Sequence, residues 1–165
     1  LSQFGSEELK QRYLPDLATG RKIGAFSLSE PGSGSDAAGL QTTAVKQGDH
    51  YGVNGSKVFV TNGGEADTYV LFVRTAEDRS GGISALVVEK GMKGFLFGKK
   101  EEKMALQSSP TIELIFENCR VPVQNRVGQE GEGFHIAMQA LNRGRIAIGA
   151  ASVGVATQAF EEARE

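Results

Sequence analysis

Cysteine, histidine and tryptophan are scarce in this sequence. Its 165 residues include one cysteine, two histidines and no tryptophan. Because Cys119 has no partner cysteine, a disulfide within the chain is excluded, and a cysteine/histidine zinc site is disfavoured since such sites use four ligands. We therefore expect no metal site, and the single thiol favours a reducing compartment.

An excess of charge and a long hydrophobic run are also lacking. Lys and Arg number 18 against 20 Asp and Glu, for a net charge of −2. A chain without a basic excess lacks the electrostatic footprint of a nucleic-acid-binding protein, so we expect no nucleic-acid partner. The longest near-apolar stretch, 146–156, is far shorter than the ~20 residues that cross a bilayer, so we expect no membrane span.

The first residues lack an initiator methionine and the basic and apolar segments of a signal peptide. We therefore expect that the N terminus of the natural protein is missing from this sequence, and no targeting segment is visible.

Glycine is abundant, at 22 of 165 residues against the ~7% usual in proteins. Many of these glycines separate short runs of alternating apolar residues, as in Asn54-Gly55 and Ser80-Gly81-Gly82. Evenly spaced short strands predict an antiparallel barrel or sandwich, not a parallel α/β sheet. The predicted strands are 25–29, 42–47, 52–61, 68–74, 83–88, 94–97 and 111–116.

Helices are predicted at both ends of the chain. Ser6 followed by two acids is typical of a helix start, and Pro15 predicts a break near Tyr13. A second helix is predicted over 134–165, where Phe134, Met138 and Leu141 share one face.

The segment Phe26-Ser-Leu-Ser-Glu-Pro-Gly-Ser-Gly-Ser-Asp36 is the most distinctive in the chain. Gly32 and Gly34 permit positive φ, so this bend could aim several backbone N–H groups at a phosphate or pyrophosphate. An ordinary β-turn is the alternative, and the two interpretations are about equally supported. The match to the dinucleotide pattern G-x-G-x-x-A is rejected, because a strand and hairpin follow where that motif requires a helix.

Two further segments are weaker candidates. In the predicted strand around Lys57, alternation places Val58 and Val60 on one face and Phe59 and Thr61 on the other. A ring beside a hydroxyl suits a flat heteroaromatic ligand, although ordinary core packing is the simpler interpretation. The pair Arg143 and Arg145 could bind phosphate, but two arginines on a helix usually mark a solvated face.

Several segments occur together in the order and spacing of one known family. On these residues the sequence resembles the acyl-CoA dehydrogenase family over nearly its whole length, and 98–103 and 138–146 most resemble its short-chain branch. The segments are Ser29-Glu-Pro-Gly-Ser-Gly-Ser-Asp36, Asn54-Gly-x-Lys57, Phe59-Val-Thr-Asn-Gly-Gly64, Phe116-Glu-x-x-x-Val-Pro122 and Gly131-x-Gly-Phe134.

The resemblance implies a mainly β fold with flanking helices: the antiparallel β-barrel middle domain of a three-domain protein whose other domains are helical. Residues 1–22 would be the tail of the N-terminal helical domain, 23–128 the middle domain, and 129–165 the first helix of the C-terminal domain. The sequence would then be a fragment of a protein that forms a homotetramer when complete.

The resemblance also implies a bound FAD. Ser29 would bond the pyrimidine edge of its flavin, Ser35 would meet the pyrophosphate and lie near the acyl-CoA, and Thr61 would bond the isoalloxazine. The implied FAD-binding residues are Phe26, Leu28, Ser29, Gly34, Ser35, Phe59, Val60 and Thr61.

Ser35 and the stretch Asn142, Arg143, Gly144 and Arg145 would bind the CoA thioester. Two positions depart from the family's usual residues, which are Trp at position 59 and Asp at position 142. The departures put an indole N–H contact and the CoA contact of Asn142 in question.

The implied reaction is α,β-dehydrogenation of a short- to medium-chain acyl-CoA to the 2-enoyl-CoA, with electron-transferring flavoprotein as the electron acceptor. The family's general base is a glutamate in the C-terminal domain beyond Glu165, so we assign no catalytic residue and expect the fragment alone to be inactive. The implied location is the mitochondrial matrix or the bacterial cytoplasm. Alternatives are a flavin oxidase or monooxygenase of the same fold, and a binding fragment without catalysis.

Overall fold

The computed structural model describes residues 1–164, so the predicted helical position of Glu165 lies outside the described residues. The described residues form two α-helices, eight strands and two short 3₁₀ turns, Ala37–Gly39 and Val123–Asn125. The elements are α1 (Glu7–Ala18), β1 (Gly24–Ser27), β2 (Thr43–Gln47), β3 (His50–Thr61), β4 (Thr68–Arg74), β5 (Ile83–Glu89), β6 (Phe95–Lys100), β7 (Thr111–Pro122), β8 (Arg126–Val127) and α2 (Gly133–Arg164).

Helix α1 begins where the sequence predicts and continues past its proline. The Ser6 hydroxyl accepts a hydrogen bond from the Leu9 backbone N–H at 3.3 Å. The predicted break near Tyr13 is wrong, because Pro15 lies inside the helix. Proline removes one helical hydrogen bond, whereas burial of Leu9 and Tyr13 and a 2.7 Å bond from the Tyr13 hydroxyl to Glu89 hold the helix on the sheet.

The eight strands form one sheet in the order β6-β7-β3-β2-β4-β5-β8, and β1 lies beside β4. Most pairs are antiparallel, but β1 and β2 both run parallel to β4. The predicted mainly β fold with flanking helices is confirmed. Along the described chain β6 and β8 are the two ends of the sheet, so the barrel is open and not closed by hydrogen bonds.

Apolar side chains pack on both faces of the sheet. Along β4, Tyr69 and Leu71 enter one core cluster while Phe72 enters the other, as the two-residue period of a strand requires. The second cluster also receives α1, through Leu9 and Tyr13, and the start of α2, through Ile136. From residue 142 onward α2 is exposed. Among residues 1–164, no helix is long and apolar enough to cross a membrane.

Candidate functional site

A cavity of about 470 Å³ lies where β1 ends, β3 bulges and α2 begins. This volume falls within the ~300–1,000 Å³ range of small-molecule sites. Helix α2 contributes one stripe of residues at helical spacing, and the Ser29–Asp36 bend contributes another part of the wall. The lining residues are Phe26, Leu28, Ser29, Gly34, Ser35, Asp36, Ala37, Ala38, Val58, Phe59, Thr61, Phe134, Met138, Leu141 and Arg145.

The structure brings most of the sequence-predicted site residues to this one cavity. Eight of them line its wall: Phe26, Leu28, Ser29, Gly34, Ser35, Phe59, Thr61 and Arg145. The side chain of Val60 is only 1% exposed and belongs to the core, so it does not reach the wall.

The other predicted CoA-binding residues, Asn142, Arg143 and Gly144, lie on the exposed part of α2 and off the cavity wall. The Asn142 side-chain oxygen accepts a 2.9 Å hydrogen bond from Arg145. Asn142 therefore does not line the cavity itself, but its hydrogen bond helps to orient Arg145, which does.

Reciprocal hydrogen bonds close the Ser29–Asp36 bend. The backbone N–H of Glu30 donates to the Ser33 carbonyl at 2.9 Å, and the N–H of Ser33 donates back to Glu30 at 3.1 Å. The Ser33 hydroxyl donates to the Asp36 carbonyl at 2.6 Å. Ser33 thus serves the turn itself, whereas Ser29 and Ser35 line the cavity.

Of the two interpretations of the bend, the anion nest based on positive φ at Gly32 and Gly34 is not formed, and the ordinary turn is. Neither glycine lies among the residues with positive φ. At Gly34 an added Cβ would meet no atom within 4 Å, and Gly34 lines the cavity. Gly34 therefore borders open space, and its backbone conformation does not require a glycine.

Strand β3 is irregular at the cavity. Its pairing with β7 shifts register between Lys57 and Val60, and Phe59 between them has φ of 56°. This β-bulge breaks the expected alternation, since Val58 lines the cavity together with Phe59 and Thr61. Phe59 is 66% exposed, and positive φ in a bulky residue is strained. Strain of this kind clusters at functional sites.

Lys57 and Glu30 form a buried ion pair next to residues that line the cavity, and the sequence analysis does not predict it. Lys57 is 0% exposed, and its ammonium group donates to Glu30 at 2.7 Å and to the Leu28 carbonyl at 3.1 Å. The other contacts of the Glu30 carboxylate are the backbone N–H groups of Gln41 at 2.6 Å and Thr42 at 2.9 Å. The available signal was a lysine inside an apolar strand with an acid in the neighbouring bend.

The pKa values of this pair reflect burial and mutual attraction. Burial lowers the pKa of Lys57 to about 8, although the charge and hydrogen bond of Glu30 oppose the shift. Burial raises the pKa of Glu30, but the charge and hydrogen bond of Lys57, with the bonds from Thr42 and Gln41, outweigh burial and lower it below its ordinary value. Both groups are therefore charged at neutral pH.

Charge on the cavity wall comes from Asp36 and Arg145. The Asp36 carboxylate accepts a 2.6 Å hydrogen bond from Arg79, which offsets its negative charge. Arg145 reaches the wall from α2 and places on it a positive charge suited to an anionic group. Within residues 1–164, no group of three or more His, Cys, Asp or Glu side chains is placed to hold a metal ion.

The fold and the site define an open, mainly β domain. Its ligand-sized cavity is lined by a polar bend, an aromatic bulge and a helix. Comparison with protein families adds the identity of that domain. Residues 25–119 match the middle domain of acyl-CoA dehydrogenase, and residues 131–165 match the C-terminal domain of the same enzymes. The chain belongs to the acyl-CoA dehydrogenase family.

Relatives with known names support this assignment. The chain is similar to the short-chain specific acyl-CoA dehydrogenase of Clostridium acetobutylicum, at 53% identity over 99% of this chain and 44% of the relative. It is also 53% identical to the mitochondrial isobutyryl-CoA dehydrogenase of Bos taurus, over 100% of this chain and 40% of the relative.

Among solved structures, butyryl-CoA dehydrogenase from Megasphaera elsdenii superposes with a TM-score of 0.87 at 49% identity. The match covers 90% of this chain and 39% of that one. The chain thus spans about two-fifths of the length of the relatives it matches.

Proposed function

We propose that this chain is the cofactor-binding part of an FAD-dependent acyl-CoA dehydrogenase, which converts a short- to medium-chain acyl-CoA thioester into the 2-enoyl-CoA. The main support for the proposal is that one cavity is lined both by the Ser29–Asp36 bend and by Phe59 and Thr61 at the bulge of β3, in a chain of this family. The named short-chain, isobutyryl-CoA and butyryl-CoA relatives support the substrate class.

The cavity residues fit a flavin. Phe59 offers an exposed ring for an aromatic plane to pack on, and Ser29 and Thr61 offer hydroxyls at the wall. Phe26 and Leu28 supply an apolar surface. We assign these five residues to the isoalloxazine ring, together with Val60, whose contribution would be through its backbone.

The bend is assigned to the pyrophosphate. Gly34 leaves open space where a side chain would stand, so a diphosphate can approach the backbone there. Ser35 is on the same wall and can donate its hydroxyl to a phosphate oxygen. These contacts do not need the positive-φ nest that the sequence suggested.

Acyl-CoA is assigned to the part of the cavity near Ser35 and Arg145. Both residues line the cavity, and a guanidinium suits the anionic CoA portion of the substrate. Asn142 would act by orienting Arg145. Arg143 and Gly144 complete the proposed CoA-facing stretch of α2, further from the cavity.

When bound, FAD supplies an acceptor for the hydride that leaves the β-carbon of the thioester. The chain's own residues bind and orient the reactants. Asp36 is the acid on the cavity wall, where its carboxylate is paired with Arg79. Following the family resemblance, we assign removal of the α-proton to a glutamate beyond residue 165. No catalytic residue is proposed within this chain.

The wider assignments follow from the family. We propose residues 1–22, 23–128 and 129–165 as the end of a helical domain, the β-domain and the first helix of a second helical domain. A homotetramer is the proposed assembly and electron-transferring flavoprotein the proposed electron acceptor. The bacterial and mitochondrial relatives support the bacterial cytoplasm or the mitochondrial matrix as the location.

The test uses the complete protein in which these residues occur. We expect the purified protein to show flavin absorbance, and butyryl-CoA or isobutyryl-CoA to bleach it and reduce added electron-transferring flavoprotein. Rapid reoxidation by O₂ with peroxide release would favour a flavin oxidase instead. A protein without flavin absorbance that takes up no added FAD would contradict the proposal, as would acyl-CoA oxidation by the isolated 165 residues.

A further inference from the structure

The Lys57–Glu30 pair connects the two walls of the cavity. Two consecutive carbonyls at the end of β1 receive hydrogen bonds from two consecutive residues of β3. Leu28 accepts from the Lys57 ammonium at 3.1 Å, and Ser29 accepts from the Val58 N–H at 2.9 Å. Because Leu28, Ser29 and Val58 all line the cavity, these bonds fix one wall against the other.

Glu30 extends the connection into the bend. Its carboxylate holds Lys57 on one side and the backbone N–H groups of Gln41 and Thr42 on the other. The chain from Glu30 to Thr42 is thereby closed into a loop, and Gly34 and Ser35 lie inside that loop. One carboxylate therefore anchors both the start and the return of the segment that faces the ligand.

A role in stability alone does not account for this arrangement. Lys57 is 0% exposed and Glu30 8%, and taking two charges out of water offsets much of their attraction. Apolar residues of similar size are often as stabilising at such sites. What the pair provides that apolar residues cannot is a set of directed bonds to Leu28, Gln41 and Thr42.

We propose that Lys57 and Glu30 are positioning residues for the flavin. They set the distance between the bend and the Phe59 bulge without touching the cofactor, which deepens the proposed function and rests on it. Loss of either charge should let the Leu28–Ser29 segment move relative to Val58 and loosen the grip on the flavin ring.

The test compares Lys57→Met and Glu30→Gln with Val121→Ala in the complete protein. Val121 is fully buried and pairs with Tyr51, at the end of β3 remote from Phe59, so it reports loss of stability without a change at the cavity. The dissociation constant for FAD is measured by absorbance titration well below each variant's melting temperature. The visible spectrum of the FAD-saturated protein is recorded as a second readout.

We expect Lys57→Met and Glu30→Gln each to raise the FAD dissociation constant about tenfold or more and to change the bound flavin's visible bands. Val121→Ala should leave both within about twofold of wild type despite a lower melting temperature. If Lys57→Met does not fold, Glu30→Gln alone decides the question.

Wild-type affinity and an unchanged spectrum in the pair variants would overturn the inference, and so would an equal loss in Val121→Ala. Failure of the wild-type protein to bind FAD would instead overturn the proposed function.

Discussion

The backbone N–H of Val58 donates a 2.9 Å hydrogen bond to the carbonyl oxygen of Ser29. This bond joins the first residue of the polar bend to the bulged part of β3, and both residues line the same cavity. Two segments separated by some thirty residues in sequence thus line one cavity, and the following predictions depend on its proposed role in binding FAD.

Gly34→Ala should weaken FAD binding without affecting the fold. A Cβ at Gly34 meets no protein atom within 4 Å and would enter the space assigned to the diphosphate. We expect about a tenfold loss of FAD affinity at an unchanged melting temperature.

Gly32→Ala is the matched control, because its Cβ is also unobstructed and Gly32 does not line this cavity. Equal FAD affinity in the two variants would contradict the role of Gly34.

Phe59→Gly should change stability and FAD affinity in opposite directions. The φ of 56° costs a non-glycine residue ~1–2 kcal/mol, which glycine avoids. Loss of the exposed ring removes the surface assigned to the flavin. We expect an unchanged or higher unfolding midpoint in denaturant together with weaker FAD binding.

Phe59→Trp introduces the residue that the resemblance implies at this position, and the variant should retain affinity because an aromatic plane is kept. A variant Phe59→Gly that binds FAD as tightly as wild type would show that the ring does not contact the cofactor.

Thr61→Val tests the hydroxyl proposed to bond the isoalloxazine. Valine keeps the shape and the strand propensity of threonine but cannot donate. One hydrogen bond is worth ~0.5–1.5 kcal/mol net, so FAD affinity should fall about twofold to tenfold. Thr61→Ser keeps the hydroxyl, so its FAD affinity should fall less than that of Thr61→Val. A titration in which Thr61→Ser binds FAD more weakly than Thr61→Val would reject the assignment.

Arg145→Gln should weaken acyl-CoA binding and leave FAD binding nearly intact. Arg145 lines the cavity, whereas Arg143 lies off its wall. Titration of the holoprotein with a non-oxidisable acyl-CoA analogue should therefore show a larger loss for Arg145→Gln than for Arg143→Gln. Equal losses would indicate that only the overall positive charge of α2 matters.

Glu30 should contribute stability that depends on pH. Burial raises its pKa, but Lys57 and the hydrogen bonds lower it further, so the pKa in the folded protein is below the ordinary value of 4.5. The unfolded chain then binds more protons, and the stabilisation present above pH 4.5 is lost as the pH falls through the folded pKa.

Urea midpoints measured from about pH 6 to about pH 3 should fall more steeply for wild type than for Glu30→Gln. Parallel curves would show that the carboxylate does not titrate with folding.

The fold was largely predictable because strand period and turn residues determine it locally. The sequence predicts β4 at its observed bounds because Thr68 to Arg74 is an apolar run between turn residues. The effect of Pro15 was not predictable, since burial of Leu9 and Tyr13 outweighs the lost helical bond. The parallel neighbours of β4 and the open sheet depend on long-range pairing, which periodicity does not encode.

The sequence predicted which residues belong to the site better than it predicted their geometry. Ser29, Phe59 and Thr61 were recognisable from motif and resemblance. The bulge at Phe59 was not, because a positive φ in phenylalanine contradicts local preference and requires the tertiary structure to impose it. Lys57 and Glu30 were missed as a pair because 27 residues separate them.

We propose that the Ser29–Asp36 bend and the Phe59–Thr61 segment of β3 hold one flavin, and a crystal structure of the complete protein with FAD would show whether they do. We expect the isoalloxazine ring in the cavity, within contact distance of Ser29, Phe59 and Thr61, and the diphosphate beside Gly34 and Ser35. FAD bound elsewhere, with this cavity filled by solvent or by a side chain, would contradict it.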